Sequence, residues 1–405
     1  MTSSMGQATY YPIVQVLLGL FLGACNSGNV GGNDPNGSDG GVNNSDGGDL
    51  LSDGGVIGDG GNTLPPVSID GCEPVDLSNR VPASENEVVL PAGCYGPTCS
   101  SIGFTPLIDL GVDTYRDLQG GLYCGGSNLR PPEHEQAGLA IAEQIQPLNS
   151  QGNADSGGKV VLISIGMSNT TGMSQQFISA FDAQRDGLGV RSEMVVVDGA
   201  QGGNATQEWT DSGDAPWSVL LDRLDNSGVT AEQVQVAWIK LARKNPDLSC
   251  RPVVGSNAHC FPADAKQLAD DIRIVIDKAM GYFPNLKMAY LTSRVYAGWA
   301  TGPLNPEPYA YQSAFAVKHL IVAQMTGDTS LNYDPERGAV NAPWLAWGPY
   351  LWADGTTPRS DGLTWPKDYF ISDGTHPSAA GYERNGQALL DFFAEDSTAQ
   401  AWFLE

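Results

Sequence analysis

The stretch Val160-Val-Leu-Ile-Ser-Ile-Gly-Met-Ser168-Asn-Thr-Thr-Gly172 runs an apolar segment into a short polar turn bounded by glycines. A hydroxyl placed there can act as a nucleophile if a base lies within hydrogen-bond reach, a further group orients that base, and donors await the developing oxyanion. Far downstream, Asp373 and His376 stand in Ile371-Ser-Asp-Gly-Thr-His-Pro-Ser378. On a turn, that spacing lets a carboxylate and an imidazole approach one point: the carboxylate fixes the tautomer and the other ring nitrogen takes a serine proton. Ser168 is therefore the candidate nucleophile, His376 its base and Asp373 the orienting partner. The remaining histidines read as structural: His134 near a polar helix start, His259 inside a cysteine loop, His319 in an apolar helix. Serine also caps helices and aspartate caps turns, but capping alone leaves His376 without a role.

The run before Ser168 is rich in Val and Ile, as expected of a strand buried on both faces of a parallel sheet, and ligand sites in such sheets lie where the strands end. Strand-like runs are Val160–Ile165, Met194–Val197, Val234–Ile239 and Met288–Leu291, with a weaker fifth around Leu345–Trp352. Helical spacing marks Met173–Ala183, Trp217–Leu224, Ala263–Gly281, Tyr309–Thr326 and Ser378–Phe393, preceded by a first helix within Glu133–Asn149 that should stop near Pro147. This alternation predicts right-handed β-α-β units. The fold class is α/β, a three-layer α/β/α sandwich on a parallel, flavodoxin-like sheet.

The chain has 405 residues, 50 of them glycine, and a formal net charge of −25 from 46 acidic and 21 basic residues. That balance argues against nucleic acid, where Lys and Arg neutralise phosphates, and against strongly anionic substrates. It suits a solvated surface kept soluble by self-repulsion. Ile13–Ala24 is apolar, too short to span a bilayer, and ends in small residues, so residues 1–25 are expected to form an export signal. Residues 26–66 are rich in Gly, Asn, Asp and Ser, with Ser-Asp-Gly-Gly recurring at Ser38, Ser45 and Ser52. They cannot bury enough apolar surface to offset ordering and lack the alternating aspartates of a calcium loop, so they read as a flexible tether. Residues 67–132 form a Cys- and Gly-rich section expected to cover one edge of the domain over 133–405.

Leu22-Gly-Ala-Cys25 resembles a bacterial lipobox, whose cysteine is acylated and becomes the mature N-terminus, although no Lys or Arg precedes the apolar run. The expectation is an exported lipoprotein of the bacterial cell envelope, touching the membrane only through its lipid. An odd cysteine count fits: with Cys25 set aside, Cys72, Cys94, Cys99, Cys124, Cys250 and Cys260 can pair. Cys250 and Cys260 bracket a short polar loop and are expected to pair with each other; the other four allow several pairings. No Cys-x-x-Cys occurs and the histidines are scattered, so no metal site is expected.

These residues resemble the SGNH, or GDSL-like, hydrolases, closest to the sialate O-acetylesterase and acetyl xylan esterase branch. Gly166-Met-Ser168-Asn-Thr-Thr-Gly172 matches that branch's Gly-x-Ser-Asn-x-x-Gly block. Gly202-Gly203-Asn-Ala-Thr-Gln-Glu-Trp209 matches its Gly-Gly-x-x-x-x-x-Trp block, and Asp373-Gly-Thr-His376-Pro377 its Asp-x-x-His-Pro block. The resemblance covers roughly residues 155 to 395. It implies that Ser168, His376 and Asp373 form a triad, that a backbone N–H at Gly203 or Gly202 serves the oxyanion, that no cofactor is needed, and that the substrate is an O-acylated carbohydrate. One block departs: where the branch has Trp-x-Gln-Gly-Glu this chain reads Trp238-Ile-Lys240-Leu-Ala. Counting alternately from Val234 puts Lys240 at the C-terminal end of its strand, where its ammonium either replaces the missing amide donor or pairs with a carboxylate at the strand end or reaches solvent. Two alternatives stand beside deacetylation: an esterase or lipase for small or lipidic esters, and a non-catalytic surface binding module on the same fold.

Overall fold

β1 (Val160–Gly166) is buried at every position, as its unbroken apolar run requires. Around it lie β2 (Met194–Val197), β3 (Val234–Lys240), β4 (Met288–Leu291) and β5 (Trp344–Trp347), all parallel, in the order β2-β1-β3-β4-β5. The protein is seen in a computed structural model that describes residues 72–78, 98–211, 213–246 and 261–405. The strand order reverses direction between β1 and β3, which opens a crevice at their C-terminal ends. Gly166 and Lys240, paired in register, are the last residues of those two strands.

Apart from the single turn Leu107–Leu110, eight α-helices lie among the described residues: α1 (Pro132–Ala142), α2 (Ser168–Leu188), α3 (Thr206–Thr210), α4 (Ala215–Asn226), α5 (Ala263–Tyr282), α6 (Tyr309–Met325), α7 (Ala379–Glu395) and α8 (Ser397–Phe403). One layer packs α2 on α7, α7 on α8 and α8 on α1; the other packs α3 on α4 and α5, and α5 on α6. α5 buries Leu268, Ile272, Val275, Ile276 and Ala279, a single apolar stripe of helical period. α6 is buried almost all round. A helix can be so only if covered on both sides, and here the N-terminal section supplies the second cover.

That section is a short hairpin, Thr114–Tyr115 with Leu118–Gln119, turned by Arg116 and Asp117 at positive φ. Its Tyr115 ring packs on Phe261, Tyr311 and Phe315, and Lys318 Nζ donates to the carbonyls of Gln119 and Gly120. Trp347, on edge strand β5, donates its indole N–H to Leu122 O at 2.7 Å. Of the pairings open to the N-terminal cysteines, the structure contains Cys72–Cys124. Cys99 is also a disulfide cysteine. Cys25, Cys94, Cys250, Cys260 and His259 lie outside the described residues, as do the expected export signal and tether.

Three elements differ from their sequence expectation. α2 begins at Ser168 rather than Met173, so the polar stretch expected as a turn is the first turn of a helix. β5 is confined to Trp344–Trp347, and the residues after it leave the sheet. α1 ends at Ala142, well before Pro147.

Candidate active site

β1 delivers the chain to the crevice and α2 starts at once, with Met167 as its N-cap. A Cβ on Gly166 would stand 2.4 Å from Thr170 Oγ1 and 2.5 Å from Lys240 O, so only glycine lets the strand turn into the helix this tightly. Thr170 completes the joint by donating its hydroxyl to Lys240 O at 2.6 Å. Trp209, fully buried, donates its indole N–H to Gly166 O at 3.1 Å and ties the Gly202–Trp209 segment to the same point.

Ser168 Oγ lies 2.7 Å from His376 Nε2, and His376 Nδ1 lies 2.6 Å from Asp373 Oδ2. A carboxylate only accepts, so Nδ1 carries the proton and Nε2 is left to accept from the serine hydroxyl. Asp373 Oδ1 takes the backbone N–H groups of Thr375 at 2.9 Å and His376 at 3.0 Å. Burial alone would raise the Asp373 carboxyl; the hydrogen bonds from His376, backbone and ring, and from the Thr375 amide outweigh it and hold the group below the usual carboxylate range. Asp373 is thus kept anionic beside the ring.

The loop that carries this pair is braced from several sides. Thr301, in the chain that follows β4, donates its N–H and its hydroxyl to Asp373 O at 3.0 and 3.2 Å. Gly374, at φ 64°, packs so closely on Trp299 O that a Cβ would overlap it. Ser378 then caps α7 by accepting from the Gly381 amide. On the nucleophile's side, Asn169 Nδ2 donates to Thr375 O at 3.1 Å.

Gly202 faces Ser168: a Cβ built on it would come 3.9 Å from Ser168 Cβ. Gly203 follows at φ 84°. Among the described residues neither amide donates a hydrogen bond within the protein, and α2 makes its first backbone bond from Thr171 to Met167 O, which leaves the Ser168 N–H free as well.

Lys240 is the last residue of β3, and its side chain is enclosed. It is 0 % exposed and its Nζ has no hydrogen-bond partner. Burial, and then the nearby Arg294, push the ammonium well below its ordinary value. An enclosed amine beside a guanidinium is disfavoured in its charged form, which weighs against the expected ammonium donor. Arg294 itself, from the chain after β4, is buried, and burial lowers it to about 10 despite the pull of Glu307, Tyr382 and Asp373.

The other histidines have structural partners. His134 Nε2 donates to Leu345 O at 2.8 Å and His319 Nδ1 donates to Val75 O at 2.6 Å. Sequence reasoning missed the work of Asn169, Trp209 and Thr301, and the place of Arg294 beside Lys240. Asn169 and Trp209 stood inside quoted motifs with no role attached; Thr301 and Arg294 carried no signal at all.

No family model matches this chain, and no curated protein matches it in sequence. Among solved structures it is similar to a lipase/acylhydrolase from Enterococcus faecalis, with 14 % identity over 58 % of this chain and 95 % of that one and a TM-score of 0.32. It is similar also to a protein from Slackia heliotrinireducens described as an SGNH hydrolase, with 15 % identity over 58 % of this chain and 98 % of that one and a TM-score of 0.27.

Proposed function

We propose that this protein is a serine ester hydrolase of the SGNH type. The observation that carries the reading is the unbroken chain Ser168 Oγ to His376 Nε2 to Asp373 at the crevice of a parallel sheet, with bonds of 2.7 and 2.6 Å. Ser168 Oγ attacks the ester carbonyl as its proton passes to His376 Nε2. The oxyanion accepts from the N–H groups of Ser168 and of Gly202 or Gly203. On collapse, the C–O bond to the alcohol breaks and His376 returns the proton to that oxygen. A water activated by His376 then releases the acyl group as a carboxylic acid and restores the serine. No step needs a cofactor.

The substrate class in this proposal is an O-acylated carbohydrate bearing acetyl or another short acyl group, on the strength of the three motif blocks. Export and lipid attachment at Cys25 extend it, from the apolar segment and the Leu-Gly-Ala-Cys sequence. A fluorophosphonate probe tests the chemistry: it should label Ser168, and Ser168→Ala and His376→Ala should each remove nearly all turnover, because residues acting as a unit fail together. Acetate release from acetylated xylan, beside p-nitrophenyl esters of graded chain length, separates a carbohydrate esterase from a lipase. An unlabelled Ser168 in folded protein would favour the binding module. For the anchor, Cys25→Ser should move the protein to the soluble fraction, and wild type found wholly soluble with no acyl mass would remove that part.

A further inference from the structure

Asn169 follows the nucleophile directly and turns its side chain inward, leaving 1 % exposed. The atom 3.1 Å from Thr375 O must be the amide nitrogen, because a carbonyl only accepts. Thr375 lies between Asp373 and His376, so this bond grips the main chain that carries both. Among the described residues, it and the Ser168–His376 bond are the two hydrogen bonds that join the start of α2 to the loop Ile371–Ser378. The loop's other ties run elsewhere. Thr301 fixes Asp373 relative to the chain after β4, and Asp373 Oδ1 fixes His376 relative to Asp373. Neither sets the base relative to Ser168.

Stability does not explain this residue. Asn169 Oδ1 is buried with no hydrogen-bond partner, an arrangement that costs free energy an apolar side chain would avoid. What the side chain supplies is one directed N–H at the point where helix and loop must keep register.

We propose that Asn169 is a positioning residue for the acyl-transfer reaction: its Nδ2–H bond to Thr375 O sets the separation and alignment of Ser168 Oγ and His376 Nε2. The proposal rests on Ser168 being the nucleophile. A misplacement of about 1 Å costs on the order of 100-fold in rate, so Asn169→Ala should lose that much in kcat and in the rate of fluorophosphonate labelling, with KM little changed. Asn169→Asp keeps the shape and adds a readout that a merely structural role would not move. As a carboxylate it repels Thr375 O; protonated, its O–H can donate there. Its activity relative to wild type should therefore be lowest at high pH and recover as pH falls. The full chain is used throughout, with thermal melts beside each rate. Wild type unlabelled at Ser168 overturns the nucleophile reading and this proposal with it. Labelled wild type, with both variants folded and labelled at the wild-type rate, overturns the positioning role alone. If both variants lose their cooperative melt, Asn169 is structural and the proposal is equally overturned.

Discussion

Gly172 on α2 faces the ring of Tyr382 on α7 so closely that a Cβ there would stand 2.4 Å from Cε1 and 2.5 Å from Cζ. α2 carries Ser168 and α7 follows His376, so this contact limits how closely the two helices pack beside the candidate site. In an open helix, Gly→Ala stabilises by about 1 kcal/mol. Here the added methyl has nowhere to go, and overpacking costs about 1–3 kcal/mol. Gly172→Ala should unfold at lower urea and turn over more slowly, and Tyr382→Ala in the same protein should restore part of the stability. A Gly172→Ala protein as stable and as active as wild type would show that the helix pair has slack.

His134 makes a pH prediction. It is buried, donates to Leu345 O and stacks on Trp344 at 4.8 Å. Burial, only partly offset by that bond, lowers it from 6.5 to about 4. The unfolded chain therefore takes up a proton at this residue before the folded one does, and stability present above pH 6.5 is lost as pH falls towards 4, by about 3 kcal/mol. Burial lowers His319 in the same direction. His134→Gln cannot titrate, so it should be less stable than wild type near pH 7.5 and the gap should narrow towards pH 4.5. Urea unfolding at several pH values measures this, and a gap that stays constant would mean that His134 is not held neutral.

Ser168, Asp373 and His376 were legible because each of the three needs a residue type that the others constrain, and the strand before Ser168 declares itself by an unbroken apolar run. The helices were legible as stripes, α5 most plainly. Ser168–Gly172 was misread as a turn because its helical state is fixed by packing on Tyr382 and by Thr170 reaching Lys240 O, neither visible in local propensity. Thr301 was invisible for the same reason: a threonine in a glycine- and proline-rich loop gives no sign that its N–H will hold Asp373 O. Lys240 was placed on its strand by alternation, but alternation says nothing about depth, and depth decides its charge.

Lys240 follows from that depth. Its Nζ is enclosed without a partner, and burial and Arg294 both disfavour the charged form. Replacing an unpartnered buried polar group by an apolar one of similar shape should gain about 1–3 kcal/mol. Lys240→Met is therefore expected to melt higher than wild type and to keep kcat within a few-fold. Removing an oxyanion donor instead costs on the order of 100- to 1,000-fold. A folded Lys240→Met protein with a loss of that size, restored by Lys240→Gln, would return Lys240 to the oxyanion.

Asp373→Asn separates the tautomer from the fold. Oδ1 of Asp373 accepts two backbone N–H groups, from Thr375 and His376, and only an oxygen can do so. The asparagine oxygen must take that place, which turns its NH2 towards His376 Nδ1. Nδ1 then has to accept, the ring proton moves to Nε2, and the nitrogen 2.7 Å from Ser168 Oγ can no longer take the serine proton. The expected loss in kcat is about 10,000-fold, with the loop's backbone bonds and the melting temperature largely kept. Asp373→Ala gives up those backbone bonds as well, so it should lose activity and also melt lower. Hydrolysis of p-nitrophenyl acetate and thermal melts of both variants make the comparison. An asparagine variant within tenfold of wild type would mean that Asp373 does not set the tautomer and that His376 is oriented by the loop alone.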